Sequence, residues 1–153
     1  MTAQILVVDD DPDILRLLAY ALRSGGYAVI TAVRGDEALA QWRTHQPDLV
    51  LLDLNLPGVM GDSVCHTIKA AGATPIILMT GQAVTEIQLS QRVPGADSYL
   101  LKPFNVSDLL GQVAETLERS ARQPRMAMGQ GLRRQGLLLK DAAARQQPAR
   151  VPA

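Results

Sequence analysis

Carboxylates close two short apolar runs in this chain of 153 residues. ILVVDDD, Ile5 to Asp11, ends on Asp9, Asp10 and Asp11; DLVLLDLNLPG, Asp48 to Gly58, places Asp53 behind Leu49 to Leu52 and ahead of Pro57 and Gly58. Both runs are short, continuous and closed by turn residues, which reads as buried parallel strand. A carboxylate at the carboxyl end of a central strand lies where open α/β sheets place their ligands. Ending the strand and opening the turn is the plainer role for Asp53, because Asp is common beside Pro and Gly. Asp11 has a structural account as the cap of a helix opening at Pro12. Asp9 and Asp10 do not, since adjacent carboxylates on a strand end repel one another unless a cation compensates. If these two strands are neighbours, Asp9, Asp10 and Asp53 share one cleft. Such a hard-oxygen site suits Mg²⁺, which takes few protein ligands and keeps several waters.

Two further runs end the same way: ILMT, Ile77 to Thr80, and YLLKPF, Tyr99 to Phe104, with Lys102 behind Leu101. Thr80 offers a hydroxyl and Lys102 an ammonium on a flexible stem. Taken singly, each reads as readily as a strand-favouring Thr and a solvated Lys. The elements that must position these groups follow from periodicity and punctuation. Strands are expected at Gln4 to Val8, Ala28 to Ala32, Leu49 to Asp53, Ile76 to Met79 (delivering Thr80) and Ser98 to Leu101. Ile14, Leu15, Leu17, Leu18, Ala21 and Leu22 recur at helical spacing until Gly25 and Gly26. Gly35 and Asp36 form a turn and cap for a helix through Trp42. Further helices are expected at Asp62 to Ala71, exposing His66 and Lys69, at Val84 to Arg92, and at Val106 to Arg119. Five strands alternating with five helices give an α/β fold, a parallel sheet with helices on both faces.

Composition sets the bounds. With 47% hydrophobic and 20% charged residues the chain is a globular type, long enough for one domain plus a tail. No apolar run approaches the roughly 20 residues of a membrane span, and the amino terminus lacks a secretion-signal pattern, so a cytoplasmic protein without membrane contact is expected. Cys65 is the single cysteine and reads as a small buried hydrophobe; His45 and His66 have no partner ligands near them in sequence. The net charge of zero conceals an asymmetry: 8 Lys/Arg against 14 Asp/Glu up to Ala121, then 7 basic residues against Asp141 alone. Domain 1–121 is therefore acidic and the segment 122–153 is a basic, flexible tail by composition. Its charge is compatible with an acidic partner or nucleic acid, but it carries no aromatic residue to stack on bases.

Taken together, the runs ending at Asp9 to Asp11, Asp53, Thr80 and Lys102 resemble, in order and spacing over about residues 4 to 120, the receiver domain of two-component response regulators. The resemblance implies a five-stranded parallel sheet of order 2-1-3-4-5, the flavodoxin-like receiver fold. It implies that Asp10 and Asp53 bind Mg²⁺ directly, Asp9 largely through water, and Asn55 through its backbone carbonyl. Asp53 would be the nucleophile that accepts a phosphoryl group from a sensor histidine kinase, a phosphotransfer protein or a small donor, with Thr80 and Lys102 receiving the phosphate oxygens. The Lys102-Pro103 peptide would be cis. Tyr99 matches an aromatic switch residue that swings inward with Thr80 and alters the face of helix 4, strand 5 and helix 5 for a downstream protein. A half-buried Tyr with its hydroxyl in water is the plain alternative.

Departures are informative. At positions where the winged-helix DNA-binding branch commonly carries Arg, Asp and Arg, this chain has Gln88, Ser98 and Gln112, which puts that mode of dimerisation in doubt and favours a monomer or weak dimer. A stand-alone receiver, or one cut from a longer protein, without direct DNA binding is the resulting expectation. An aspartate-based phosphohydrolase, the rival reading, wants a second Asp two residues beyond the nucleophile, and Asn55 stands there; turnover beyond self-phosphorylation and dephosphorylation is not expected. A degenerate receiver acting as an unphosphorylated binding module is a further alternative.

Overall fold

The computed structural model describes residues 2–81 and 86–122. Strands and helices alternate as β1 (Gln4–Val8), α1 (Pro12–Ser24), β2 (Ala28–Ala32), α2 (Gly35–His45), β3 (Leu49–Asp53), α3 (Gly61–Ala71), β4 (Ile76–Thr80), α4 (Glu86–Arg92), β5 (Ser98–Leu101) and α5 (Val106–Arg122). The strands form one parallel sheet in the order β2-β1-β3-β4-β5. Chain direction explains which helices share a face. The step from β1 to β2 runs one way across the sheet and every later step runs the other, so right-handed crossovers put α1 on one face and α2, α3 and α4 on the opposite one.

The side chains follow this division. Leu6, Val8, Val50, Leu52, Ile76 and Leu78 pack with Ala38, Val64, Ile68 and Leu89 of α2, α3 and α4. Ile5, Val7, Leu49, Leu51, Ile77 and Met79 pack with Leu15, Leu18, Leu22, Leu109 and Val113 of α1 and α5. Successive strand residues point to opposite faces, and because both faces are covered the central strands are apolar at every position rather than at alternate ones. The helices are closed locally. Asp11 caps α1 by accepting the Asp13 N–H at 2.9 Å, with Pro12 in the first turn, and the Gly25 N–H returns to the carbonyls of Ala21 and Leu22.

Several boundaries differ from expectation. Gly35 and Asp36 lie inside α2, and the N-cap is Arg34, whose side chain makes no capping bond. Close packing accounts for this: a Cβ at Gly35 would sit 2.0 Å from the Val59 carbonyl oxygen, so the helix must start with a residue that lets the two backbones touch. α5 continues to Arg122, one residue past the expected domain edge, where Arg122 pairs with Glu118 at 3.3 Å. Val84 and Thr85, the expected start of the fourth helix, and the tail beyond Arg122 lie outside the described residues. Lys69 is not simply displayed on α3: its ammonium pairs with Asp97 at 2.6 Å and donates to the Thr74 carbonyl at 3.0 Å, while Asp97 also accepts the Ile76 N–H at 2.8 Å. That cluster ties the entry of β4 to the entry of β5. Cys65 is buried, and burial pushes its thiol up to about 11, an inert state. Among the described residues no helix is long and apolar enough to cross a membrane.

Gly61 opens α3 directly against the end of β3. Helix propensity alone would favour Ala there by up to about 1 kcal/mol. A Cβ would however meet the Asp53 carbonyl oxygen at 2.4 Å and the Leu54 Cα at 2.7 Å, both backbone atoms that cannot swing aside. Overpacking of this kind costs about 1–3 kcal/mol, so the steric cost outweighs the propensity gain. Gly61→Ala is expected to lower the urea unfolding midpoint; a raised midpoint would show that β3 and α3 separate easily.

Candidate functional site

Register brings the ends of the strands to one edge of the sheet. Val8 lies between Ala32 and Leu52, Asp53 opposite Met79, and Thr80 opposite Leu101. Chain reversal between β1 and β3 makes their carboxyl ends a topological switch point. Asp9 follows β1, donates its N–H to the Ala32 carbonyl at 3.2 Å and is 1% exposed; Asp53 ends β3 and is 5% exposed. Asp10 stands exposed beside them. Carboxylate oxygens of Asp9, Asp10 and Asp53 all lie within 4.8 Å of one another.

Lys102 crosses from the end of β5 to this cluster. Its Nζ donates to Asp9 Oδ2 at 2.9 Å and to Asp53 Oδ2 at 3.4 Å. The remaining oxygens are held by backbone: Asp9 Oδ1 accepts the Asp11 N–H at 3.0 Å and Asp53 Oδ1 the Asn55 N–H at 3.1 Å. Burial pushes the Asp53 carboxyl above the ordinary range, against the opposing pull of the Asn55 N–H and the Lys102 charge. Burial would by itself lower Lys102, but the bond it donates to Asp9 and the charge of Asp53 outweigh it and hold the ammonium above its ordinary value.

Thr80 is fully buried at the end of β4, and its carbonyl accepts the Lys102 N–H at 2.7 Å, which locks the two strand ends together. The Lys102-Pro103 peptide is cis. Asn55 is exposed at the start of the loop after β3. Tyr99 is half-buried against the core face shared with α2, α3 and α4, and its hydroxyl donates to the Val93 carbonyl at 3.1 Å rather than only to water. Asp9, Asp10, Asp53 and Lys102 are thus one constellation, Thr80 adjoins it through backbone, and Tyr99 lies further along β5. Nothing in the sequence pattern marked Gly61, although its missing side chain lets α3 abut the Asp53 backbone.

The donor set fits Mg²⁺. Three hard carboxylates lie close enough to share one small cation, and exposed Asp10 leaves a side open for the waters that Mg²⁺ retains. Thus fold and site define an α/β module with an acidic cleft at its switch point. Comparison with known proteins gives its family. Residues 5–114 match the model of the response regulator receiver domain. DNA-binding response regulator MtrA of Mycolicibacterium smegmatis is 39% identical over 124 residues, covering 81% of this chain and 54% of that protein. Transcriptional regulatory protein ResD of Bacillus subtilis is 39% identical over 118 residues, 77% of this chain and 49% of that protein. Among solved structures, a response regulator receiver domain protein (CheY-like) from Methanospirillum hungatei JF-1 superposes with a TM-score of 0.74 at 32% identity, covering 81% of this chain and all of that one. The chain belongs to the response regulator receiver domain family of two-component systems. It spans about half the length of the curated relatives it matches.

The raised Asp53 carboxyl has a stability consequence. The folded state holds the Asp53 proton more tightly than the unfolded chain, whose carboxyl titrates near 3.8. Stability from this group is therefore full below that value and is lost as pH rises through the higher folded value, so at neutral pH the ionised carboxylate opposes folding. In Mg²⁺-free buffer Asp53→Asn is expected to raise the melting temperature at pH 7 and to lose that advantage by about pH 3. Equal melting temperatures at pH 7 would show that Lys102 fully offsets the burial.

Proposed function

We propose that this chain accepts a phosphoryl group on Asp53 and signals by altering the face formed by α4, β5 and α5. The observation that carries the reading is the cluster of Asp9, Asp10 and Asp53 at the switch point, with the Lys102 ammonium bonded to Asp9 and Asp53. An Asp53 oxygen attacks the phosphorus of a phosphohistidine on a sensor kinase or phosphotransfer protein, or of a small acyl phosphate. The bond from phosphorus to the donor's leaving atom breaks, the electron pair departs with that group, and Asp53 becomes an acyl phosphate. Lys102 pairs with the new phosphate and Thr80 donates its hydroxyl to it. Asp10, Asp53 and the Asn55 carbonyl would hold Mg²⁺, with Asp9 beside them, and the bound ion would supply charge neutralisation at the transferring group.

Tyr99 is the proposed switch: as Thr80 turns to the phosphate, the ring shifts and leaves the Val93 carbonyl. The matched relatives are named as DNA-binding and transcriptional regulators. Their DNA contact is not carried over to residues 1–121, because six excess negative charges there oppose a phosphate backbone. We assign those residues to the receiver module and residues 122–153 to a basic tail.

Intact-protein mass measurement after incubation with a small acyl phosphate and Mg²⁺ tests the assignment. Wild type is expected to gain one phosphoryl group and Asp53→Asn none. Equal labelling of both would remove Asp53 from its role, and labelling of neither would favour an unphosphorylated binding module. Mg²⁺ alone is expected to raise the melting temperature of wild type but not of Asp10→Ala.

A further inference from the structure

The loop from Asp53 to α3 carries the Asn55 carbonyl, and Arg34, at the N-cap of α2, stands against it. N-caps favour Ser, Thr, Asp and Asn, whose oxygen satisfies an orphan N–H of the first turn; Arg34 occupies that position and makes no such bond. Glu37 in the first turn reaches back instead, its Oε1 accepting the Val33 N–H ahead of the helix at 2.8 Å. The Arg34 side chain is directed elsewhere. Its Nη2 stands 2.7 Å from where a Cβ on Gly58 would be, and Gly58 adopts φ +75°, a conformation that favours glycine. Asp36 holds the other end of the guanidinium, accepting from Nε at 3.1 Å. Immediately beneath, Gly35 lies against the Val59 carbonyl, so Arg34 and Gly35 together cover consecutive residues of the loop.

We propose that Arg34 is a positioning residue for the metal and phosphoryl site: tethered by Asp36, its guanidinium clamps Gly58 and fixes the loop that carries the Asn55 carbonyl. This rests on the phosphoacceptor reading above. The clamp is economical because the β2 end already adjoins the cleft, with the Ala32 carbonyl on the Asp9 N–H. A planar guanidinium suits the role because it can lie flat on a side-chain-free backbone while its Nε remains bonded.

Arg34→Ser separates this role from a purely local one. Ser supplies the capping oxygen that α2 lacks, so without Mg²⁺ the variant is expected to melt no lower than wild type. Its apparent Mg²⁺ affinity, read from the rise of melting temperature with Mg²⁺, is expected to fall about 3- to 10-fold, below the roughly 10- to 100-fold seen when a direct support of a metal ligand is lost. Asp36→Asn, which leaves the Arg34 charge but loosens its tether, is expected to shift affinity the same way by about 2-fold, and Arg34→Lys to restore only part of the loss. Wild-type Mg²⁺ affinity in Arg34→Ser overturns the clamp. A wild type that neither responds to Mg²⁺ nor takes up phosphate overturns the site reading itself, and the clamp with it.

Discussion

Two carboxylates forced to the same edge of a buried sheet are the constraint around which this molecule is arranged. Asp9 and Asp53 end neighbouring strands, both almost wholly buried, and their charges cannot be left unanswered in so poor a solvent. Lys102 answers them, arriving from the far edge of the sheet with one ammonium between two oxygens. Removing one partner from a fully buried pair costs about 3–5 kcal/mol; here Lys102 keeps 23% of its side-chain surface and the cleft opens past Asp10, so solvent screens part of that. The arrangement is stable without being saturated. Three acidic groups against one ammonium leave negative charge at the cleft, which is the electrostatic condition for taking up a divalent cation.

What holds those groups in place is largely the absence of side chains. Gly61 lets α3 meet the Asp53–Leu54 backbone and Gly35 lets α2 meet Val59, so both ends of the intervening loop rest on backbone contacts too close for a Cβ. The loop between them therefore has little freedom, even though it is exposed at Asn55, Pro57 and Gly58. The Asn55 carbonyl, proposed as a metal ligand, would gain from that restriction, because a ligand fixed before binding loses less entropy on binding.

Apolar runs stopped by charged residues made the strands legible from sequence, since a strand covered on both faces has a distinctive pattern and its last residue is free to be polar; their order came from the family resemblance. Asp9, Asp10, Asp53 and Lys102 could be brought together on paper once the strand order was in hand. Three features could not. Lys69 looked like a surface residue because its partner Asp97 lies on a different element, and nothing marked Arg34, because it stands against Gly58, which presents no side chain to signal it. Tyr99 was ambiguous because only the path of the chain after α4 brings the Val93 carbonyl to its hydroxyl. In each case the missing information was a long-range pairing, which local spacing does not encode.

The end of β5 is joined to the site through backbone. Thr80 and Lys102 are linked through backbone at 2.7 Å, so displacement of either strand end bears on the other, and Tyr99 lies three residues before Lys102 on the same strand. Nearby, Ser98 donates to Gln112 at 3.0 Å and Gln112 donates to the Tyr99 carbonyl at 3.4 Å, so the β5 to α5 contact is made by neutral groups within one molecule. Such bonds contribute about 1 kcal/mol each, as does the Tyr99 hydroxyl on Val93. Shifting the ring would break the hydroxyl bond to the Val93 carbonyl. A population-shift switch of the kind proposed for this face requires that a phosphoryl group contact Thr80 and Lys102 differently in its two positions.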